Sequence, residues 1–349
     1  MVVQYKCPNC GADMAFDSKS GKLHCDSCGN NENVESIPKS NISYKKTDSS
    51  QKYFEENEAH EYKCNNCGAV LITDALTSAT TCNFCGAGVV LSDRLTGSLA
   101  PSMIIPFKIS KNQAMEAFKT WCKKGLLTPK GFMNANRITS ITGLYVPFWL
   151  YDLDCDGEAN ATCTKVRTYE QGDYIVTETS YFDVYRRVNL HYDLVPQDAS
   201  EKMDDLLMEK LEPFHYNEIK DFNMPYLAGF IAEKYSYDDK SLFDQVKEKV
   251  RHYVESYIHT TILGYTTTTY TRKNIKINPK QAHYALFPVW MVCYDYKKSE
   301  HIFAMNGQTG KIVGKPPLSI GKILAWFSGL SATFFLVINL IIYLFGGVS

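Results

Sequence analysis

The chain has 349 residues, with 37 Lys and Arg against 38 Asp and Glu, a formal net charge of −1, and 13% aromatic residues including 23 tyrosines. That aromatic content excludes disorder for most of the chain, and the charge balance excludes a broadly basic nucleic-acid-binding surface. The length allows two or three units.

Taken from the N-terminus, one cysteine pattern occurs twice at an offset of 57 residues, as Cys7-x2-Cys10-x14-Cys25-x2-Cys28 and Cys64-x2-Cys67-x14-Cys82-x2-Cys85. Two cysteines separated by two residues curl the backbone into a knuckle that points both sulfurs at one ion. A second knuckle across a hairpin completes the tetrahedron. Gly11, Gly29, Gly68 and Gly86 follow the four knuckles, where turning backbone N–H groups toward thiolates favours positive φ. The pattern predicts two zinc ribbons, over residues 1–29 and 62–92, holding two structural Zn2+. Disulfides are the alternative for eight cysteines. Met1 to Cys7 lacks the basic and apolar segments of a secretory leader, and Cys122, Cys155, Cys163 and Cys293 have no pair spacing, so the set reads as reduced thiols in a reducing cytosol. Each ribbon is too short to bury a core. The ion therefore supplies on the order of 10 kcal/mol per site, and residues 1–90 are expected to be largely unfolded without it. Nine Lys and Arg face twelve Asp and Glu in residues 1–100, and each zinc with four thiolates adds two further negative charges.

Residues 30–61 are polar, with Pro38 and glutamates 55, 56, 58 and 61. They read as a linker with room for a short helix around Tyr53 and Phe54. The main unit, residues 101–315, is long enough for its own core. Ser110 and Gln113 form a capping box ahead of Ala114, Phe118, Trp121 and Cys122, which predicts a helix over 110–124 ended by Gly125. Gly143 to Asp156 alternates as a strand, Asp156-Gly157 reads as a turn, and Ala161 to Tyr169 as the returning strand. A third strand from Tyr174 to about Leu194 is long enough to need a bulge. Amphipathic helices follow over 198–211 and 239–258, then antiparallel strands over 260–278, 284–296, 302–305 and 311–313. The uneven alternation predicts an antiparallel α+β fold. Leu144-Tyr145-Val146-Pro147-Phe148-Trp149 echoes Ala285-Leu286-Phe287-Pro288-Val289-Trp290 at an offset of 141 residues. The two are either copies of one unit or apolar strands alike by chance.

Other motifs have simpler readings. Asp152-x-Asp154-x-Asp156-Gly157 begins like a calcium loop, but the twelfth position is Cys163 and not glutamate, so the aspartates read as a solvent face. His24 adjoins a complete ligand set. His252 and His259 share a helix face without a third ligand. The Gly-Lys pairs at 310–311, 314–315 and 321–322 lack the upstream glycine and following Ser or Thr of a phosphate loop, and no GxSxG occurs. No catalytic residue or organic cofactor is assigned, and zinc held by four thiolates has no open position to activate water.

At the C-terminal end, the 23 residues Ile323 to Phe345 carry no charge. As a helix they span about 35 Å, enough for a bilayer core. Lys311, Lys315 and Lys322 precede the segment and no charged side chain follows it, so the positive-inside rule predicts a single-pass tail anchor in the cell membrane, the N-terminal bulk lying in the cytoplasm.

The ribbons, the segment Ile104 to Phe132, the strand Leu144 to Asp152 and the tail together resemble, over the whole chain, a family of bacterial membrane-attached proteins containing TFIIB-type zinc ribbons. Some of its members are labelled replication-restart helicases of the PriA type. The resemblance implies zinc binding and membrane attachment, whereas the helicase label implies a phosphate loop that this sequence lacks. The function expected is a non-enzymatic adaptor whose ribbons dock a protein partner through residues such as Met14, Phe16, Leu23, Val70, Leu71, Ile72 and Leu76. The alternative is a nucleic-acid-binding accessory, which the acidic balance disfavours.

Overall fold

The computed structural model describes residues 2–37, 60–64, 70–73, 77–82, 88–91, 100–123, 125, 127–129, 132, 138–296 and 299–345. In chain order the N-terminal part holds β1 (Val2–Val3), β2 (Ala15–Asp17), β3 (Lys22–His24), β4 (Asn31–Glu32), β5 (His60–Lys63), β6 (Val70–Thr73), β7 (Thr77–Thr81) and β8 (Gly88–Leu91). The body continues with β9 (Met103–Ile104), α1 (Lys111–Lys123), β10 (Ile138–Gln171), β11 (Tyr174–Asp198), α2 (Asp205–Leu211), β12 (Lys220–Asp221) and β13 (Ile231–Glu233). It ends with α3 (Asp239–Thr260), β14 (Thr267–Tyr296), β15 (Ser299–Asn306), β16 (Ile312–Gly314) and α4 (Ile320–Phe345).

Eleven of these strands form one sheet. Its main path runs β1-β8-β7-β13-β10-β14-β15-β16, with β11 on β10, β9 on β14 and β12 on β9. Most pairings are antiparallel, as the strand pattern predicts, but β13 runs parallel to β10 and β9 parallel to β14. The two cysteine-rich segments are not separate from the body: β1 pairs with β8, and β7 pairs with β13. Val34 is buried and its carbonyl accepts from Asn223 Nδ2 at 3.0 Å, so the polar stretch after the first ribbon starts out packed on the body. The helix considered around Tyr53 lies outside the described residues.

Both faces of the central strand are covered. Leu144, Val146, Phe148 and Leu150 pack on one side with Phe287 and with Met208 and Leu211 of α2. Tyr145, Trp149, Tyr151 and Leu153 pack on the other with Phe118 of α1 and Val246 and Val250 of α3. Burial on both sides explains the nearly continuous apolar run from Leu144 to Tyr151.

The two Pro-x-Trp segments are direct cross-strand partners, Val146 lying opposite Phe287 and Pro147 opposite Leu286. Their surroundings match. Leu144 and Tyr145 pair with Ile231 and Ala232, while Ala285 and Leu286 pair with Met103 and Ile104. Trp149 Nε1 donates to the Tyr237 carbonyl and Trp290 Nε1 to the Ile109 carbonyl, each at 2.9 Å. In each case the accepting residue immediately precedes a helix cap. Ser110 Oγ accepts from Gln113 N at 3.4 Å at the start of α1, and Asp238 Oδ1 accepts from Ser241 N at 2.8 Å at the start of α3. Short strand, capped helix and long strand thus recur about a local twofold through the Val146–Phe287 pair.

The hairpin expected at Asp156-Gly157 does not form there. β10 continues for 34 residues and turns at Gly172, which has φ +62°. At about 3.3 Å per residue its contour is roughly 110 Å. Gly157 sits in mid-strand because α3 crosses over it: a Cβ there would meet Val188 Cγ2 at 2.9 Å, Val254 Cγ1 at 3.0 Å and Ile258 Cδ1 at 3.1 Å. The strands expected over 260–278 and 284–296 are likewise one 30-residue strand. The bulge expected in β11 occurs, with Tyr151 opposite Val195 but Leu153 opposite Tyr192, and Leu194 at φ +56°. The helix expected over 198–211 begins only at Asp205, since Asp204 caps it by accepting from Leu207 N at 2.9 Å.

Candidate metal centre

The first knuckle begins where Cys7 N donates to the Ala12 carbonyl at 2.8 Å and Gly11 N to the Cys7 carbonyl at 2.9 Å. The second repeats it, with Cys25 N on the Asn30 carbonyl at 2.9 Å and Gly29 N on the Cys25 carbonyl at 2.8 Å. Gly11 and Gly29 have φ of +73° and +76°, which is why glycine follows each cysteine pair. Between the knuckles, β2 and β3 pair antiparallel, with Phe16 opposite Leu23.

This backbone brings the Sγ atoms of Cys7, Cys10, Cys25 and Cys28 within 4.8 Å of one another. Cys7 to Cys28 and Cys10 to Cys25 are each 3.5 Å apart. A tetrahedron of sulfurs around an ion at about 2.3 Å has edges of about 3.8 Å, so the four residues can hold one metal ion. The separations exclude a bonded sulfur pair, for which about 2.05 Å is required. Electrostatics point the same way. Desolvation opposes ionisation of Cys7, but the backbone N–H groups of Cys10 and Asn9 and the sulfurs of Cys28 and Cys10 outweigh it and bring the thiol down to about 6. At Cys28 the Asn30 N–H favours the thiolate, yet crowding by the Cys10 and Cys7 sulfurs pushes the thiol up to about 12. A divalent cation relieves that repulsion and lets all four ionise. His24 lies outside the cluster, with Nδ1 2.8 Å from Asn31 Oδ1.

Around the second cysteine set, β5 pairs with β6 and β7 with β8, both antiparallel. Cys64 and Cys82 follow β5 and β7 and are buried in one cluster with Val89 and Leu91. Cys67 and Cys85, with Gly68 and Gly86, lie outside the described residues, as does Leu76.

The apolar residues of the first ribbon face inward. Met14, Phe16 and Leu23 are buried, which corrects the expectation that they present a docking surface. Phe16 N donates to the Ala228 carbonyl at 2.9 Å, and its ring packs edge-on to Tyr226 at 5.3 Å and beside Phe230 at 6.5 Å. Phe230 in turn stacks on Phe107 at 4.2 Å. Nothing in the cysteine pattern announced this aromatic floor; the run Met224 to Phe230 was its only trace in the sequence. Two clefts of about 720 and 470 Å³ flank the β2–β3 hairpin where it meets the body.

The aspartate ladder on β10 is engaged across strands and forms no calcium loop. Asp152 accepts from Leu194 N at 2.9 Å and lies 3.3 Å from His283 Nε2. Asp154 contacts His191 at 2.8 Å and Lys280 at 3.3 Å, and Asp156 accepts from Asn189. His252 and His259 rest against Glu248 and Tyr270. At the other end, Ile320–Tyr343 of α4 is exposed but for half-buried Lys322, and it is apolar and long enough to cross a membrane.

Across 347 residues the chain is 56% identical to the uncharacterized protein YdjG of Bacillus subtilis (strain 168), covering 99% of both chains. It belongs to the YdjG family. The match runs through the cysteine-rich N-terminus, the sheet body and the apolar tail. No family model matches the chain, and no solved structure matches it.

Proposed function

We propose that this protein is a membrane-anchored, cytoplasmic, zinc-binding adaptor that docks a protein partner and does no chemistry at its metal sites. The observation that carries the reading is the exposed apolar helix α4 growing directly out of the body: Ser319 N donates to the Leu127 carbonyl at 2.8 Å and Lys322 Nζ to the Thr128 carbonyl at 2.7 Å. A helix so apolar is stable only in an apolar surrounding, and its first turn then holds the body against the bilayer surface. Lys311, Lys315 and Lys322 before it favour the cytoplasmic side.

Zinc is the ion best suited to four thiolates in a tetrahedron, and with all positions filled it has a structural role. The second cysteine set is assigned the same role by its identical spacing. Both features agree with the resemblance to membrane proteins carrying TFIIB-type ribbons. Partner docking is assigned to the distal end of the β10–β11 hairpin, where Tyr174, Ile175 and Tyr181 are 77%, 75% and 73% exposed. Large exposed aromatic side chains at low entropic cost suit protein recognition.

Fractionation tests the anchor. The full chain is expected to remain with membranes after alkaline carbonate washing, and a chain ending at Lys315 to become soluble; full-length protein in the soluble fraction contradicts the reading. A photo-crosslinking residue at Tyr174 is expected to capture protein in cells. Binding of the chain to DNA or RNA that falls steeply between roughly 50 and 200 mM salt replaces the adaptor with a nucleic-acid accessory.

A further inference from the structure

The segment that leads into the first cysteine set also reaches the second. β1 lies on β8, with Val2 opposite Leu91 and Val3 opposite Val90, and Leu91 is buried in one cluster with Cys64 and Cys82. Directly after β1, Gln4 Nε2 points at Cys64 Sγ from 3.6 Å. Three residues further on is Cys7, the first sulfur of the other set. The stretch between them is tied to the first knuckle: Met14 N donates to the Tyr5 carbonyl at 2.8 Å, and Lys6 and Asp13 form an antiparallel bridge. Ordering the first knuckle therefore fixes where Gln4 stands.

The amide is placed for its donor. Gln4 Oε1 is buried and has no hydrogen-bond partner among the described residues, which is destabilising. A neutral thiol accepts only weakly and does little to offset that loss. A metal-bound thiolate is a charged acceptor, and bonds to charged groups are roughly twice as strong. Exchanging the two ends of the amide would set its oxygen against the sulfur, acceptor against acceptor. Groups that hydrogen-bond to a metal ligand fix its orientation, and their loss typically costs about 10- to 100-fold in metal affinity. We propose that Gln4 donates to the metal-bound thiolate of Cys64, so that filling the first cysteine set, which orders residues 5–14, strengthens metal binding at the second. This rests on the assignment of one ion to each set. Linkage makes the coupling mutual.

Zinc titration of the full chain in detergent, in competition with a chromophoric chelator, tests the link. The unaltered chain is expected to take up two ions. Gln4→Met keeps the length of the side chain and removes the donor; it is expected to weaken one ion about tenfold or more and to spare the other. Cys10→Ser disables the first set and is expected to weaken the ion left on the second, after which Gln4→Met should cost less than in the unaltered chain. Cobalt supplies a readout that packing alone does not move, because a hydrogen bond draws charge from sulfur. In the chain loaded with two cobalt ions, Gln4→Met is expected to shift part of the sulfur-to-cobalt charge-transfer absorption to longer wavelength. In a Cys82→Ser chain, which keeps the first set alone, Gln4→Met should leave that absorption where it is. Two ions whose affinities Gln4→Met leaves unchanged overturn the proposal, as does an unmoved absorption in the two-cobalt chain or an equal shift in Cys82→Ser. Uptake of a single ion by the unaltered chain overturns the two-site assignment itself, and the proposal with it.

Discussion

The cysteine ribbon and the sheet body are held together by different means. In residues 5–29 the knuckles bury little beyond Met14, Phe16, Leu23 and two of the cysteines, Cys7 and Cys25, and they gather four sulfurs close enough to hold one ion. In the body, β10 and β14 run side by side over most of β14, and along 144–151 and 284–290 they are covered on both faces by aromatic and aliphatic side chains. The small region has a ligand set for one ion and few buried residues, and the large one has many. At their junction the Phe16 ring on Tyr226 and Phe230 belongs to both.

Removing metal should separate the two regions most sharply. Stripping the ion with a strong chelator is expected to cost on the order of 10 kcal/mol at the ribbon. Hydrogen exchange should show lost protection at the Gly11 and Gly29 amides while β10 and β14 keep theirs. Equal loss in both regions would erase the distinction. Within the body, Gly157→Val forces a branched side chain into Val254 and Ile258 of α3, with an expected cost of about 3 kcal/mol in urea unfolding and no effect on metal content.

The two halves of the body offer a finer comparison. Trp149→Phe and Trp290→Phe each remove an indole donor to a carbonyl just ahead of a helix. Each should cost about 1–2 kcal/mol, and the two should be similar because the sites are equivalent. The smallest effects lie at the caps, where Ser110→Ala and Asp238→Ala should each cost about 1 kcal/mol. Only the second depends on pH. The Ser241 backbone N–H, then its hydroxyl, holds the Asp238 carboxyl below its ordinary 3.8. Its contribution is thus present above that value and is lost as pH falls through the lowered one. Thermal melts of Asp238→Ala and the unaltered chain should converge in that acidic range, while Ser110→Ala stays offset.

Legibility in the sequence follows the same division. The cysteine spacing and its glycines announced the cluster of Cys7, Cys10, Cys25 and Cys28 because knuckle geometry is local, and Ser110 and Gln113 announced the start of α1 for the same reason. The apolar tail was equally plain. Long-range facts were hidden. Asp156-Gly157 has the composition of a turn, yet its glycine answers to a helix a hundred residues away. Asp204 stops α2 from starting at Asp198 because a short acceptor caps the helix there, and that frees Asp198 to be buried at the sheet edge. Phe16 reads as ribbon surface until Tyr226 and Phe230 are brought beneath it.

Metal content of the natively purified full chain, measured together with the state of its thiols, bears most directly on the account. Two zinc ions per chain with Cys7, Cys10, Cys25, Cys28, Cys64, Cys67, Cys82 and Cys85 all reduced is the predicted result. A chain isolated without metal, or with these sulfurs joined in disulfides, would contradict it.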